Sequence, residues 1–400
     1  WWDEAIQEKG EEVIYTWNQN FSRRIPFLLN GPVREQTGTS VVELLDQAYQ
    51  RQRTRAQKEI DAIQNSTPHA AGPVAKEDSE QYVFALSPSG QKLVYWSGVF
   101  KKGNDVRLKV RTSNGQSFHE IESQKLFKAV SSLKVRWLNE DEFLFDQIET
   151  THPYTSYRDL YVHNLVSGQT TRLTEGARAQ DASPSPSGNT IAFIQNDGGR
   201  TRLMSMDRQS KRMRPLVTGN FSQRIGSPEF LSENLLLFTV RQAQGTQKIY
   251  SFDLKSRKTA PWFDQLQSPQ ALRKTPEGLL LTDATHGARN IYLIQNGRAR
   301  AVSNTLTDIQ RADWDPQTQQ VIASELSPNG RRLTTFPLQN RQPAEIAGLS
   351  VPTTAQSKIA KVKVQERDYQ PWRYMLPRYW IPFIYQVEEG YLFQGITSMS

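Results

Sequence analysis

Cysteine is absent from this 400-residue chain, and histidine occurs only five times. The first absence excludes disulfides, Cys-ligated zinc and a cysteine nucleophile, and it is compatible with an oxidising compartment. The second leaves His69, His119, His152, His163 and His286 as the imidazoles, and none of them begins an HExxH run, so the zinc helix of a metallopeptidase is not written here. His119-Glu120 comes nearest, but "IES" follows it. A G-x-S-x-G nucleophile elbow is missing, which argues against a complete Ser-His-Asp hydrolase. Phosphate-cradling glycine loops are missing too. Long apolar runs do not occur: mean hydropathy is −0.64, and no stretch approaches the roughly 18 to 20 apolar residues of a membrane helix. Nucleic acid is not expected as a partner, because the net charge of +8 comes from basic residues scattered along the chain rather than gathered into runs. The chain opens on Trp1-Trp2 with no initiator Met, basic n-region or apolar h-region, so either processing has removed a signal or the chain is a fragment.

What the sequence does contain is a repeat. "FALSPSGQKLVYWS" near Pro88 returns as "ASPSPSGNTIAFIQ" near Pro186, and weaker copies stand near Asn139, Ser232, Pro276 and Pro316. Each copy places a strand, then a turn built on Ser-Pro-x-Gly or a polar substitute, then an apolar strand. Pro presets φ for the second turn position and Gly accepts φ > 0. Most units add a second hairpin, such as "DLYVHNLVSGQTTRLT" with its turn at Ser167-Gly168, or "NIYLIQNGRARAV" with the strong turn Asn296-Gly297. A lone hairpin is marginal in water, so units recurring every 40 to 50 residues or so are expected to pack face to face around an axis. The expected fold class is mainly β: a six-bladed β-propeller between residues 82 and 340.

Ser87-Pro88-Ser89-Gly90, Ser185-Pro186-Ser187-Gly188, Tyr161 to Leu165, Tyr250 to Leu254 and Tyr292 to Ile294 resemble the repeat of the TolB-type six-bladed propellers, an "SPDG"-like turn followed by an "IY-x-x-D/N-L" strand. The turn Asp of that family is Ser in the two best copies, and the second and fourth units lack the Pro. The resemblance is to the superfamily rather than to the Tol protein.

Residues 1–65 read as helical, followed by a linker over 66–81. Ser40 and Glu43 stand at capping-box spacing, and Val41, Leu44, Leu45, Ala48 and Tyr49 fall on one helix face. The string "FLLNGPVREQTGTSVVELLDQAYQRQR" is similar to the closing helices of a gluzincin (peptidase MA type) domain, which implies that any catalytic part would lie upstream of Trp1. Glu4 is best read as an exposed carboxylate at a helix start rather than as a zinc ligand of such a domain. Residues 341–368 read as a second linker, with one short strand at "KIAKVKV". Residues 369–400 form an aromatic segment. In it Tyr369, Pro371, Arg373, Tyr374, Pro377, Arg378, Tyr379, Trp380 and Pro382 resemble the segment that joins such propellers to an outer-membrane β-barrel in Gram-negative envelope proteins. That resemblance makes Trp372, Tyr374, Tyr379, Trp380 and Phe383 candidates for a membrane interface, where amphipathic rings concentrate. An aromatic strap on the propeller rim is the other reading.

Chemistry-bearing candidates are few. Asp283 and His286, in "TDATHGARN", are candidates for one mouth of the channel, weighed against a satisfied loop pair. Asp313 with Asp315, and Glu142 with Asp146, are spaced so that a metal site or an acid/base pair can be considered, but turn carboxylates usually bond local N–H groups. His163, inside a strand, reads as packed. No catalytic residue, no metal and no cofactor is expected. The expected function is a non-catalytic protein- or peptide-binding scaffold, a monomeric propeller in the periplasm with an envelope partner and outer-membrane contact. The alternative is the substrate-positioning propeller of a zinc metallopeptidase.

Overall fold

The computed structural model describes residues 10, 12–21, 30–66, 72–74, 80–99, 103–129, 131–152, 155–285, 287–328, 330–338, 368, 370, 372, 380–387 and 390–397. It divides into two compact units, residues 62–351 and residues 1–61 with 352–400.

Residues 62–351 hold six four-stranded antiparallel sheets. Blade 1 comprises Glu80–Leu86, Lys92–Val99, Gly103–Val110 and Gln124–Ala129; blade 2 comprises Val135–Trp137, Glu142–His152, Thr155–Asn164 and Thr170–Arg172. Blade 3 comprises Ala179–Pro184, Thr190–Asp197, Arg200–Asp207 and Met213–Thr218; blade 4 comprises Arg224–Phe230, Leu235–Arg241, Gln247–Asp253 and Lys258–Phe263. Blade 5 comprises Gln270–Thr275, Gly278–Asp283, Asn290–Gln295 and Arg298–Ala301; blade 6 comprises Ile309–Asp315, Gln320–Ser327 and Gly330–Pro337. Each of the six sequence turns lies between the first and second strands of a blade, so the fold is a six-bladed β-propeller. The turn at Asn296-Gly297 has φ of 52° and 72°, as a tight hairpin with two left-handed positions requires.

Alternating side chains place every blade between two apolar layers. Val94, Trp96, Phe143 and Phe145 fill the layer between blades 1 and 2, where the Trp96 and Phe145 rings lie 5.5 Å apart. Comparable clusters separate blades 2 and 3, 3 and 4, 4 and 5, and 5 and 6. Truncating one of these buried rings to Ala is expected to cost about 3–5 kcal/mol.

The ring closes with strand material from the N-terminal side. Gly72–Pro73 pairs with Thr334 and Thr335 as the outermost strand of blade 6, and Val74 N donates to Leu333 O at 3.0 Å. The Val74 side chain enters the layer between blades 6 and 1, with Phe84, Leu93, Ile322 and Leu333. Across the same seam the Arg111 guanidinium grips Asp315 through two bonds of 2.8 and 2.5 Å.

The serine at the third position of the two best turns ties each to a neighbouring blade. Ser89 donates through N and Oγ to Glu140, the turn residue of blade 2, at 2.6 and 2.8 Å. Ser187 donates in the same way to Glu233 of blade 4, at 2.5 and 3.0 Å. A hydroxyl can give a proton to the neighbouring Glu, which an aspartate cannot do.

In the other unit, Glu12–Phe21, Asn30–Thr37 and the start of Val41–Ser66 are helices that bury Val13, Trp17, Val33 and Leu44 together. Ser40 N donates to Glu43 Oε2 at 2.7 Å and Glu43 N to Ser40 Oγ at 3.2 Å, the reciprocal bonds of a capping box. These bonds hold the Glu43 carboxyl below its usual range. Leu45 and Tyr49 depart from the expected apolar face, being 46% and 62% exposed. The small helical core covers only the arc that carries Leu44 and Ala48. The hairpin Trp380–Val387 with Gly390–Thr397 completes this unit.

Candidate functional site

The inner strands of the blades bring charged residues to the axis. Those of blades 3, 4 and 5 share a β-bulge with a left-handed non-Gly residue, Asp181 (φ 53°), Ser227 (φ 47°) and Ala271 (φ 52°). The bulge turns these residues so that each blade bonds the next: Ser227 N donates to Asp181 Oδ2 at 2.8 Å, and Ala271 N to Ser227 Oγ at 3.1 Å. Two residues farther along each strand, a second tier consists of Ser183, Glu229, Arg273 and Asp313, joined by Arg136 from blade 2. Glu229 receives the Ser183 hydroxyl at 3.3 Å and pairs with Arg136 at 3.4 Å and Arg273 at 3.6 Å. Arg273 Nε reaches Asp313 Oδ1 at 2.6 Å, and Asp313 Oδ2 accepts Leu86 N from blade 1 at 3.1 Å. Arg136 also donates to Leu272 O of blade 5 at 3.1 Å, a bond between blades on opposite sides of the ring. The axis is filled at this level by a connected ionic network.

Burial shapes the network's protonation. It would raise Glu229, but the charges of Arg136, Arg273 and Lys134 outweigh it and hold the carboxyl below its usual range. Lys134, 2% exposed, donates to Pro228 O at 2.8 Å and pairs with Asp181 at 3.1 Å. Burial nevertheless pushes its ammonium down to about 8. Burial raises Asp146 despite its 2.7 Å pair with Arg158. Arg311 is lowered by burial, and its Nε is enclosed without a hydrogen-bond partner among the described residues.

Off the axis, a groove of about 490 Å³ opens on the face that carries the blade-to-blade loops. It runs beside the Asp197–Arg200 turn of blade 3 and the loop leading into blade 4, and Arg158, Arg178, Arg200 and Arg224 line it with Tyr157 and Phe221. The Arg178 guanidinium lies 4.5 Å from the Tyr157 ring centre and that of Arg200 lies 4.2 Å from Phe221, which is 70% exposed. Composition left this groove invisible, because its arginines are spread over residues 158–224 and only blade packing assembles them.

The residues singled out in the sequence are placed as follows. Asp283 ends the second strand of blade 5 with 0% exposure, and its carboxylate accepts Ser268 N at 2.7 Å and the amide and hydroxyl of Thr285. His286 lies outside the described residues. Asp313 and Asp315 are engaged by Arg273 and Arg111, and Glu142 and Asp146 by Arg208 and Arg158. Among the described residues no group of His, Asp and Glu converges as a metal site. His163 is buried between Phe127 and Phe143, Nδ1 lies 2.8 Å from Thr170 Oγ1, and burial lowers its pKa. Trp372 is 64% exposed and Phe383 half-buried, its ring stacked on Tyr385 at 6.1 Å. Trp380 opens a hairpin strand, with its side chain outside the description. Tyr374, Tyr379, Glu4 and the "KIAKVKV" strand lie outside the described residues.

Fold and axis together define a closed six-bladed β-propeller with an ionic plug. No protein-family model matches the chain, and no curated protein matches it. Among solved structures, TolB from Acinetobacter baumannii is similar with a TM-score of 0.49 and 14% identity, covering 64% of this chain and 66% of that one. A prolyl endopeptidase matches with a TM-score of 0.44 and 13% identity, over 66% of this chain and 43% of its own. An oligogalacturonate lyase in complex with manganese matches with a TM-score of 0.44 and 11% identity, over 68% of this chain and 94% of its own. These likenesses concern the fold alone.

Proposed function

We propose that this propeller is a non-catalytic module that binds protein or peptide partners on the face bearing the blade-to-blade loops. The observation that carries this reading is the axis. Arg136, Glu229, Arg273 and Asp313 are committed to one another, so the Glu229 and Asp313 carboxylates are engaged rather than free to act as an acid, a base or a ligand set. Recognition then falls to the loop face, where the groove is open. The test is to pan an unbiased displayed-peptide library on the full chain and map the selected peptides by hydrogen exchange. Enriched peptides that protect residues 197–200 and 219–223 are expected. Failure to enrich any peptide, protection confined to the opposite face, or cleavage of the peptides would overturn the reading.

We further propose that the module works in the periplasm as part of an outer-membrane-associated protein. The hairpin supports this: its strands leave Ile384, Tyr385, Tyr391, Leu392 and Phe393 exposed, a density of apolar and aromatic surface that suits a lipid-facing strand pair. A full-length product that washes off envelope membranes in high salt would refute it. The second reading, a propeller that positions substrate for a zinc metallopeptidase domain, draws on the helical unit with its own buried Trp17. An HExxH codon run upstream in the gene is its test.

A further inference from the structure

The arginines of the groove are held in an unusual state for exposed cations. Among the described residues Arg178, Arg200 and Arg224 have no carboxylate partner, whereas Asp197 beside them is taken by Arg202 at 3.1 Å. Arg178 and Arg200 are laid against the rings of Tyr157 and Phe221. Stacking covers the face of a guanidinium and leaves its in-plane N–H groups for other partners; Arg178 Nη2 gives one of them to the Tyr157 hydroxyl at 3.1 Å, and the remaining N–H groups of Arg178 and Arg200 suit a planar carboxylate. Gln180, Asn196 and Gln223 add uncharged, hydrogen-bonding side chains to the lining. That combination reads a polypeptide, with amides for the backbone and guanidinium edges for acidic side chains.

We propose that the groove beside the Asp197–Arg200 turn binds an acidic peptide segment, with Asp or Glu side chains seated on Arg178, Arg200 and Arg224. This rests on the binding reading above and names the partner's chemistry. Such contacts are charge-assisted and partly exposed, so affinity is set by salt as well as by sequence.

Fluorescence anisotropy with the full chain tests it, using dye-labelled ten-residue peptides of alternating Glu and Gly, of Gln and Gly, and of Lys and Gly. The Glu peptide should bind about 30-fold more tightly than the Gln peptide at low salt, and lose about tenfold between 50 and 300 mM salt. The double variant Arg200→Glu/Arg224→Glu should lose at least about tenfold for the Glu peptide. Lys255→Glu/Lys258→Glu, at the turn on the opposite face, should bind as the parent does, and circular dichroism must show both variants folded. Equal binding of Glu and Gln peptides, undiminished binding by the groove variant, or tighter binding of a labelled oligonucleotide would each overturn the proposal. Enrichment of neutral library peptides at the same face would overturn it while leaving the binding reading intact, and the absence of any peptide binding would remove both.

Discussion

Lys134 gives the network a measurable pH signature. Its ammonium sits among Asp181, Arg136, Glu229 and Arg311, and burial pushes it down to about 8 against the opposing pull of Asp181. In the unfolded chain the same group titrates near 10.4 or so. Between about pH 8 and about pH 10.4 the unfolded chain therefore holds a proton that the folded ring has released, and stability rises with pH in that window. Below about pH 8 the folded ring carries the buried charge at full cost, about 3 kcal/mol for the whole depression at roughly 1.4 kcal/mol per unit. The variant Lys134→Met keeps the length of the stem and removes the titration. Urea unfolding of both proteins at pH 7 and pH 9.5, followed by near-ultraviolet circular dichroism, isolates the effect, because other groups that titrate in this range cancel in the difference. Parent stability minus variant stability should increase by about 2 kcal/mol from pH 7 to pH 9.5. A difference that stays constant, or falls, would mean that Lys134 is not buried against the axis as described.

Gly278 has φ of 140° in the second strand of blade 5, and a Cβ there would run into the Ile294 carbonyl oxygen. Gly278→Ala should cost about 3 kcal/mol of unfolding free energy, measured by urea titration, and a loss below about 1 kcal/mol would contradict this register. Ser89→Asp should destabilise by about 1–2 kcal/mol, because it sets a carboxylate where Ser89 Oγ now gives its proton to Glu140 at 2.8 Å. Adding Glu140→Gln should recover most of that loss in a double-mutant cycle, and a stabilising Ser89→Asp would refute the Ser89–Glu140 contact as described.

The propeller was legible because its signal is local. Ser-Pro-x-Gly turns, Asn296-Gly297 and the alternation in "KLVYW" or "TIAFI" each act over a few residues, and their repetition at blade length fixes the fold class. Closure was not legible, since the strand that completes blade 6 is only Gly72–Pro73, and two residues carry no periodicity. The helix face at Leu45 and Tyr49 was misjudged for a related reason: periodicity shows which residues share a face, but not how wide an arc the neighbours cover.

The axis and the groove were hidden for a different reason. Arg136 and Glu229 are 93 residues apart, and Arg136 and Leu272 are 136 apart. Read along the chain, each of these charges is one polar residue in an inner strand. The left-handed residues of these bulges, Asp181, Ser227 and Ala271, are not glycines, so the shift that aims side chains at the next blade is not announced by the residue type at the bulged position. Only the sixfold superposition of strands reveals that Arg136, Ser183, Glu229, Arg273 and Asp313 hold equivalent places two residues before the turn-flanking position of their blades. Equivalent places in a ring are neighbours in space, and that converts scattered residues of both signs into a neutralised plug at the axis. It also leaves Arg178, Arg200 and Arg224, which pair with no carboxylate among the described residues, as the surplus on the loop face. The net charge of +8, which composition alone could not assign to a partner, thus has a local expression in a groove suited to acidic side chains.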